Sequence, residues 1–128
     1  MKLASIDVGL KRIGIAICLT SDIVTPQTAI LRKNRNQAAR DVNICLKEWE
    51  IEKLIVGFPS ASIDMQNRIN HFVSLLELKI PYEFCEENMS SIEAEDLIKG
   101  EIKYKRDGRI DSLAAKIILE RYLTKKIS

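Results

Sequence analysis

The feature that most constrains this chain is its opening. Residues 2–8 (KLASIDV) and 13–19 (IGIAICL) are two apolar runs joined by the short turn Gly9, Leu10, Lys11 and Arg12. A link that short returns the chain beside itself, so the runs are expected as an antiparallel hairpin. Thr25-Pro26 opens a third extended segment reaching Leu31, and its proline suits a strand start or a sheet edge. The period then changes. Ala39, Val42, Cys45, Leu46 and Trp49 recur at helical spacing, which predicts a helix over residues 36–50.

LIVGFP, residues 54–59, is a short continuous apolar run of the kind found in buried parallel strands. Ile69, Phe72, Val73 and Leu76 share one face of a helix expected over 64–79, and PYEFCE, residues 81–86, reads as another strand. Ser90-Ser91-Ile92-Glu93 fits a capping box opening a short helix that ends near Ile98. Residues 99–108 form a basic loop. A last helix is expected over 109–124, with Ile110, Leu113, Ala114, Ile117, Ile118 and Tyr122 inward. The order βββαβαβαα implies an α/β fold: a mixed five-stranded sheet with helices on both faces, the element order of a ribonuclease H-like domain. No linker or repeat divides the chain, and its 128 residues suffice for one continuous core, so residues 1–128 are expected to form one domain.

Composition removes several function classes. An apolar fraction of 46% with 30% charged residues is that of an ordinary soluble protein. No apolar run reaches the roughly 18–20 residues a membrane span needs. The first residues lack the long apolar region of a secretory signal, so the expected location is the cytoplasm, with no membrane partner. Cys18, Cys45 and Cys85 are isolated, and His71 is the only histidine. Neither a disulfide framework nor a zinc site is expected, only buried free thiols.

The net charge of +2 hides an uneven distribution. Between Glu83 and Asp96 there are six acids and no lysine or arginine, whereas Lys99 to Lys126 carries nine basic residues against four acids. Arg32, Lys33, Arg35 and Arg40 form a second basic cluster. Positive surface beside a concentrated acidic spot suits an enzyme that grips nucleic acid and works through metal ions; solvation of the surface explains the lysines equally well.

Asp7 is the sharpest clue to chemistry. It sits in an apolar run expected to be a central strand, where a carboxylate needs a metal, a partner or the backbone donors of the turn at Gly9. Gly9 permits positive φ or a close backbone approach. Glu86 and Glu87 end a strand where ligands of open α/β sheets gather. Only one of two adjacent strand residues can face a given side, and position alone does not choose between them. Asp111 opens the last helix, where the helix dipole by itself favours an acid. The small apolar face that follows it would pack tightly on the sheet and bring this carboxylate towards the strand ends. Three converging carboxylates suit magnesium and phosphodiester hydrolysis. No Gly-x-Ser-x-Gly elbow or Walker loop offers another chemistry, and His71 reads as a helix-surface residue.

These residues resemble the YqgF (RuvX) proteins, a family linked to Holliday junction resolution and to maturation of pre-16S ribosomal RNA. The likeness runs nearly end to end. IDVGLKRIGIAI (Ile6 to Ile17) is similar to the family's D-x-G-x-K-R-I-G-x-A opening, IVGFP (Ile55 to Pro59) to its V-G-x-P segment, and RIDSLAAKIILERYL (Arg109 to Leu123) to its V-D-x-x-A-A-x-x-I-L-x-x-Y-L ending. The resemblance implies that Asp7, Glu87 and Asp111 bind magnesium, or manganese in its place, as the catalytic acids. It implies that Lys11 and Arg12 approach substrate phosphate; the basic character of the loop, apart from the resemblance, adds Lys103, Lys105, Arg106 and Arg109 as further expected phosphate contacts. One block departs. The family's D-E-R-[LF]-[TS]-T is here Glu86-Glu87-Asn88-Met89-Ser90-Ser91, which keeps Glu87 but loses an arginine at Asn88 and with it a bidentate phosphate grip.

The expected activity is that of a metal-dependent endonuclease in 5′-end processing of pre-16S rRNA. Its expected partners are precursor rRNA and the ribosomal subunit precursor, and its expected state is a monomer or weak homodimer. Two alternatives stand beside it: a resolvase acting on branched DNA, which needs a dimer, and a catalytically weak RNA-binding maturation factor. An actin-like ATPase also opens with D-x-G, but needs two such domains.

Overall fold

The computed structural model describes residues 1–20, 23–60, 62–86 and 112–127. The elements are β1 (Leu3–Val8), β2 (Arg12–Cys18), β3 (Thr25–Leu31), α1 (Arg35–Glu48), β4 (Lys53–Phe58), α2 (Ile63–Leu76), β5 (Tyr82–Glu86) and α3 (Leu113–Ile127). The strands form one sheet in the order β3-β2-β1-β4-β5. Pairing is antiparallel for β1–β2 and β2–β3 and parallel for β1–β4 and β4–β5, so the expected mixed five-stranded α/β sheet is the one observed. β3, with Pro26, is an edge strand.

Strand alternation divides the sheet into two faces. Ala4, Ile6, Val8, Ile13, Ile15, Ile17, Leu54 and Val56 pack with Ala38, Ala39, Val42 and Leu46 of α1 and with Ile69, Phe72, Val73 and Leu76 of α2. Leu3, Ala16, Cys18, Ile55 and Cys85 face the other way, onto Ala115, Ile118, Leu119 and Tyr122 of α3. The central strands β1, β2 and β4 are covered on both faces because they carry apolar residues at both parities, whereas Tyr82 and Phe84 of β5 stay exposed.

The helices start and stop for reasons the apolar periodicity does not encode. α1 begins at Arg35, where Asn34 and Gln37 form a reciprocal capping box. Trp49, expected on the apolar face, is the C-cap instead and 38% exposed. α2 stops at Leu76 rather than residue 79 because Glu77 turns left-handed, at φ 47°. α3 runs three residues beyond the expected end at residue 124. The expected helix over 90–98 and the basic loop over 99–108 lie outside the described residues. No helix among the described residues is long and apolar enough to cross a membrane.

Candidate active site

α3 runs antiparallel to β1, and three contacts fix its position. Ser112, just before the helix, accepts a hydrogen bond from the Ile15 backbone N–H at 3.0 Å. Ser5 Oγ donates to the Ala115 carbonyl at 2.5 Å. Seven residues on, the Lys53 ammonium donates to the Tyr122 hydroxyl at 2.8 Å and pairs with Glu83 at 2.6 Å. The Glu83 bond, then the Tyr122 bond, raises the Lys53 pKa above its ordinary value. The start of α3 therefore lies towards the carboxyl end of β1, and its later turns towards the amino end.

Asp7 is the penultimate residue of β1, half-buried, and faces the α3 side with Leu3 and Ser5. Its register partner on β2 is Gly14. On the other side, the β1–β4 register ends at Ile6↔Val56, and one further step sets Gly57 beside Asp7. Gly57 in turn pairs with Cys85. The row across four strands is thus Gly14, Asp7, Gly57, Cys85: a carboxylate with no side chain on either neighbouring strand. The next row back (Ala16, Ser5, Ile55) is the one Ser5 ties to α3. Asp7 therefore lies on the side of the sheet where α3 begins. Burial pushes the Cys85 thiol up, so at neutral pH it is a protonated thiol and not a nucleophile.

The turn beside Asp7 is tightly built. Gly9 N–H donates to the Arg12 carbonyl at 3.0 Å, and a Cβ on Gly9 would stand 2.5 Å from that oxygen. Close approach, not positive φ, is what requires glycine here. Arg32 clamps the turn from β3: its N–H donates to the Lys11 carbonyl at 2.8 Å, and its guanidinium to the Gly9 carbonyl at 2.9 Å. Lys11 and Arg12 are exposed on this turn. Glu86 ends β5 opposite Phe58, on the face away from α3, where its carboxylate accepts from Ser60 Oγ at 2.9 Å. His71 is on the α2 surface, as expected. None of the three cysteines is in a disulfide; Cys18 and Cys85 are buried and Cys45 is half-buried.

Glu87, Lys103, Lys105, Arg106, Arg109 and Asp111 lie outside the described residues. Among the described residues, no group of three or more metal-ligating side chains converges. Sequence reasoning missed Ser5, Ser112 and the clamping role of Arg32. A hydroxyl inside the apolar run LASIDV was the one available signal. Ser5 and Ser112 are both fully buried and both hydrogen-bonded, as buried hydroxyls must be.

The family model RuvX, described as Holliday junction resolvase, matches residues 1–125. A protein of Sulfurovum sp. (strain NBC37-1), provisionally named a pre-16S rRNA nuclease, is 64% identical over 127 residues, covering 97% of this chain and 99% of its own. A relative with the same provisional name, from Sulfurimonas denitrificans, is 51% identical over 129 residues, covering 98% and 99%. The solved structure of T. thermophilus RuvC in complex with Holliday junction substrate superposes with a TM-score of 0.64 at 14% identity, covering 99% of this chain and 96% of that one, a likeness of fold. With nearly its whole length matched by the family model and by these relatives, the chain belongs to the RuvX family.

Proposed function

We propose that this chain is a metal-dependent endonuclease that hydrolyses phosphodiester bonds of precursor 16S rRNA, in 5′-end processing during ribosome biogenesis. The observation that carries the reading is the Gly14–Asp7–Gly57 row: a half-buried carboxylate flanked by a glycine on each neighbouring strand, at the carboxyl end of the central strand. The names borne by the relatives supply the substrate.

The donor chemistry fits magnesium or manganese. A carboxylate is a hard oxygen donor, and the glycines beside it leave room for the waters such an ion keeps. Asp7, Glu87 and Asp111 would hold the metal. Two parities support this set. Glu83 and Cys85 share the α3 face, so continued alternation favours Glu87 over Glu86. Asp111 directly precedes Ser112, which is tied to Ile15 next to Gly14. When bound, the metal supplies charge neutralisation at the phosphoryl oxygens and an activated water.

The chain's own residues do the remaining work. Asp7 is held in one orientation by β1 and by the clamped turn. Lys11 and Arg12 present cations to the phosphates flanking the cut, and Lys103, Lys105, Arg106 and Arg109 extend that grip. The protein works in the cytoplasm on the ribosomal subunit precursor, as a monomer or weak homodimer.

The test is cleavage of a precursor 16S rRNA fragment with magnesium and with EDTA, comparing wild type with Asp7→Asn. Metal-dependent cuts confined to wild type are expected. Equal cutting by Asp7→Asn, free of contaminating nuclease, overturns the site. A four-way DNA junction in the same assay separates rRNA processing from resolvase chemistry.

A further inference from the structure

Across the β1–β2 turn from Asp7 lies an open cleft of about 660 Å³, lined in part by Leu10, Arg32, Lys33, Arg35, His71 and Leu75. Four segments build it: the turn itself, the β3–α1 link, the first turn of α1 and the outer side of α2. Its lining holds three arginine or lysine side chains and the chain's only histidine, and no acid among the described residues. The Arg35 guanidinium stands 3.1 Å from His71 Nε2. A guanidinium only donates, so Nε2 is the acceptor in this contact. Lys11, Lys33 and Arg35 make no ion pair with any carboxylate among the described residues. An arginine, a lysine and an imidazole gathered without a counter-charge lack one thing, which is an anion.

The cleft is also rigid at its base. Arg32 is fixed by the Gly9 carbonyl and by the face of Phe72, whose centroid is 5.7 Å from the guanidinium carbon. Several backbone donors near the start of α1 are already used. Gln37 N–H donates to Asn34 Oδ1, and the Lys33 and Asn34 N–H groups both donate to Gln37 Oε1. The charge that attracts an anion is that of the Arg32, Lys33 and Arg35 side chains.

We infer that this cleft is a second phosphate site: it holds a backbone phosphate of the RNA strand, on the far side of the β1–β2 turn from the bond to be cut. Arg35 and Lys33 supply the charge, His71 a hydrogen-bonding ring, and Arg32 ties the site to the turn that carries Lys11 and Arg12. Because Gly9 is two residues from Asp7, a strand gripped here is registered against the carboxylate by a rigid connection. The substrate class rests on the nuclease reading; the anion site does not.

The test uses the full chain in EDTA, with a short single-stranded oligoribonucleotide as probe. His71 is the only histidine, so its ring C–H resonances report the cleft without assignment ambiguity. They are expected to shift and saturate with RNA. Lys33→Gln/Arg35→Gln, two exposed positions, is expected to weaken binding on the order of tenfold and to flatten the salt dependence of log K by about 1 per lost contact. Lys79→Gln, away from the cleft, leaves both unchanged.

Unmoved His71 resonances at saturating RNA, an unaltered salt slope in the double variant, or no RNA binding by wild type would each overturn the inference. The two readings fail separately. Binding with a His71 shift but no cleavage in magnesium removes the nuclease and keeps the phosphate site, whereas cleavage with silent His71 does the reverse.

Discussion

Ser5 and Ser112 each contribute one buried hydrogen bond between α3 and the sheet, yet removing them should not cost the same. Ser112→Ala strips the acceptor from the Ile15 N–H. Ile15 is fully buried where the β2–β3 ladder shifts register between Ile13 and Ile15, and its N–H is aimed at the Ser112 hydroxyl, which alanine does not replace. An orphaned buried donor costs about 1–3 kcal/mol. Ser5→Ala removes a donor from the Ala115 carbonyl, which lies within α3 and retains its own helical partner. That loss should be about 1 kcal/mol or less. For 128 residues the unfolding entropy is about 0.27 kcal/mol per kelvin, so about 2 kcal/mol corresponds to a fall of roughly 7 °C in Tm.

Thermal and urea unfolding followed by circular dichroism measure both. Ser112→Ala is expected to lose roughly twice what Ser5→Ala loses, with unchanged urea m-value. Equal losses, or the reverse order, would refute the orphaned-donor argument. The same variants bear on function. Ser112 adjoins Asp111, so Ser112→Ala should also depress metal-dependent cleavage at temperatures where the protein is fully folded, whereas Ser5→Ala should not.

Four further outcomes are expected. Asp7→Asn should abolish cleavage with its Tm held or raised, because strand geometry is kept and the proposed set of Asp7, Glu87 and Asp111 loses one of its three like charges; loss of fold on calorimetry would contradict this. Gly9→Ala places a methyl 2.5 Å from the Arg12 carbonyl and should cost about 1–3 kcal/mol by urea titration, with weaker RNA binding as the turn shifts. Lys53→Met should lower stability by about 1 kcal/mol, the same at pH 6 and pH 9. The sign follows from its raised pKa: the contribution is complete below the ordinary lysine value of 10.5 and fades only as pH climbs past it. Burial raises both the Cys45 and Cys85 thiols, with Glu48 adding to the effect at Cys45, so both should react slowly with an aromatic disulfide reagent at pH 8 and quickly in denaturant.

What was legible in the sequence was whatever repeats at short range. The hairpin showed as two apolar runs with a polar turn, the helices as a 3.6-residue period, and the edge strand as a proline at its start. Helix ends were less legible, because Asn34 and Gln37 cap α1 through side-chain hydrogen bonds and Glu77 stops α2 through its backbone conformation. Asp7 stood out as a carboxylate in an apolar run, but its surroundings did not. That Glu86 faces away from α3 was equally hidden, because only the β4–β5 register fixes its side of the sheet.

Register also explains a residue whose significance the sequence left unstated. Gly57 entered only as part of IVGFP, a segment similar to a family pattern. It lies fifty positions from Asp7, and no local period connects them. With Ile6 set against Val56, Gly57 comes next to Asp7 on the α3 face, as Gly14 does from β2. A side chain at either position would stand beside the carboxylate, where the proposed site would need room for a hydrated ion and a phosphate. The glycine in IVGFP is therefore better understood as keeping the neighbouring strand out of the site than as bending its own strand, which continues through Phe58 without interruption.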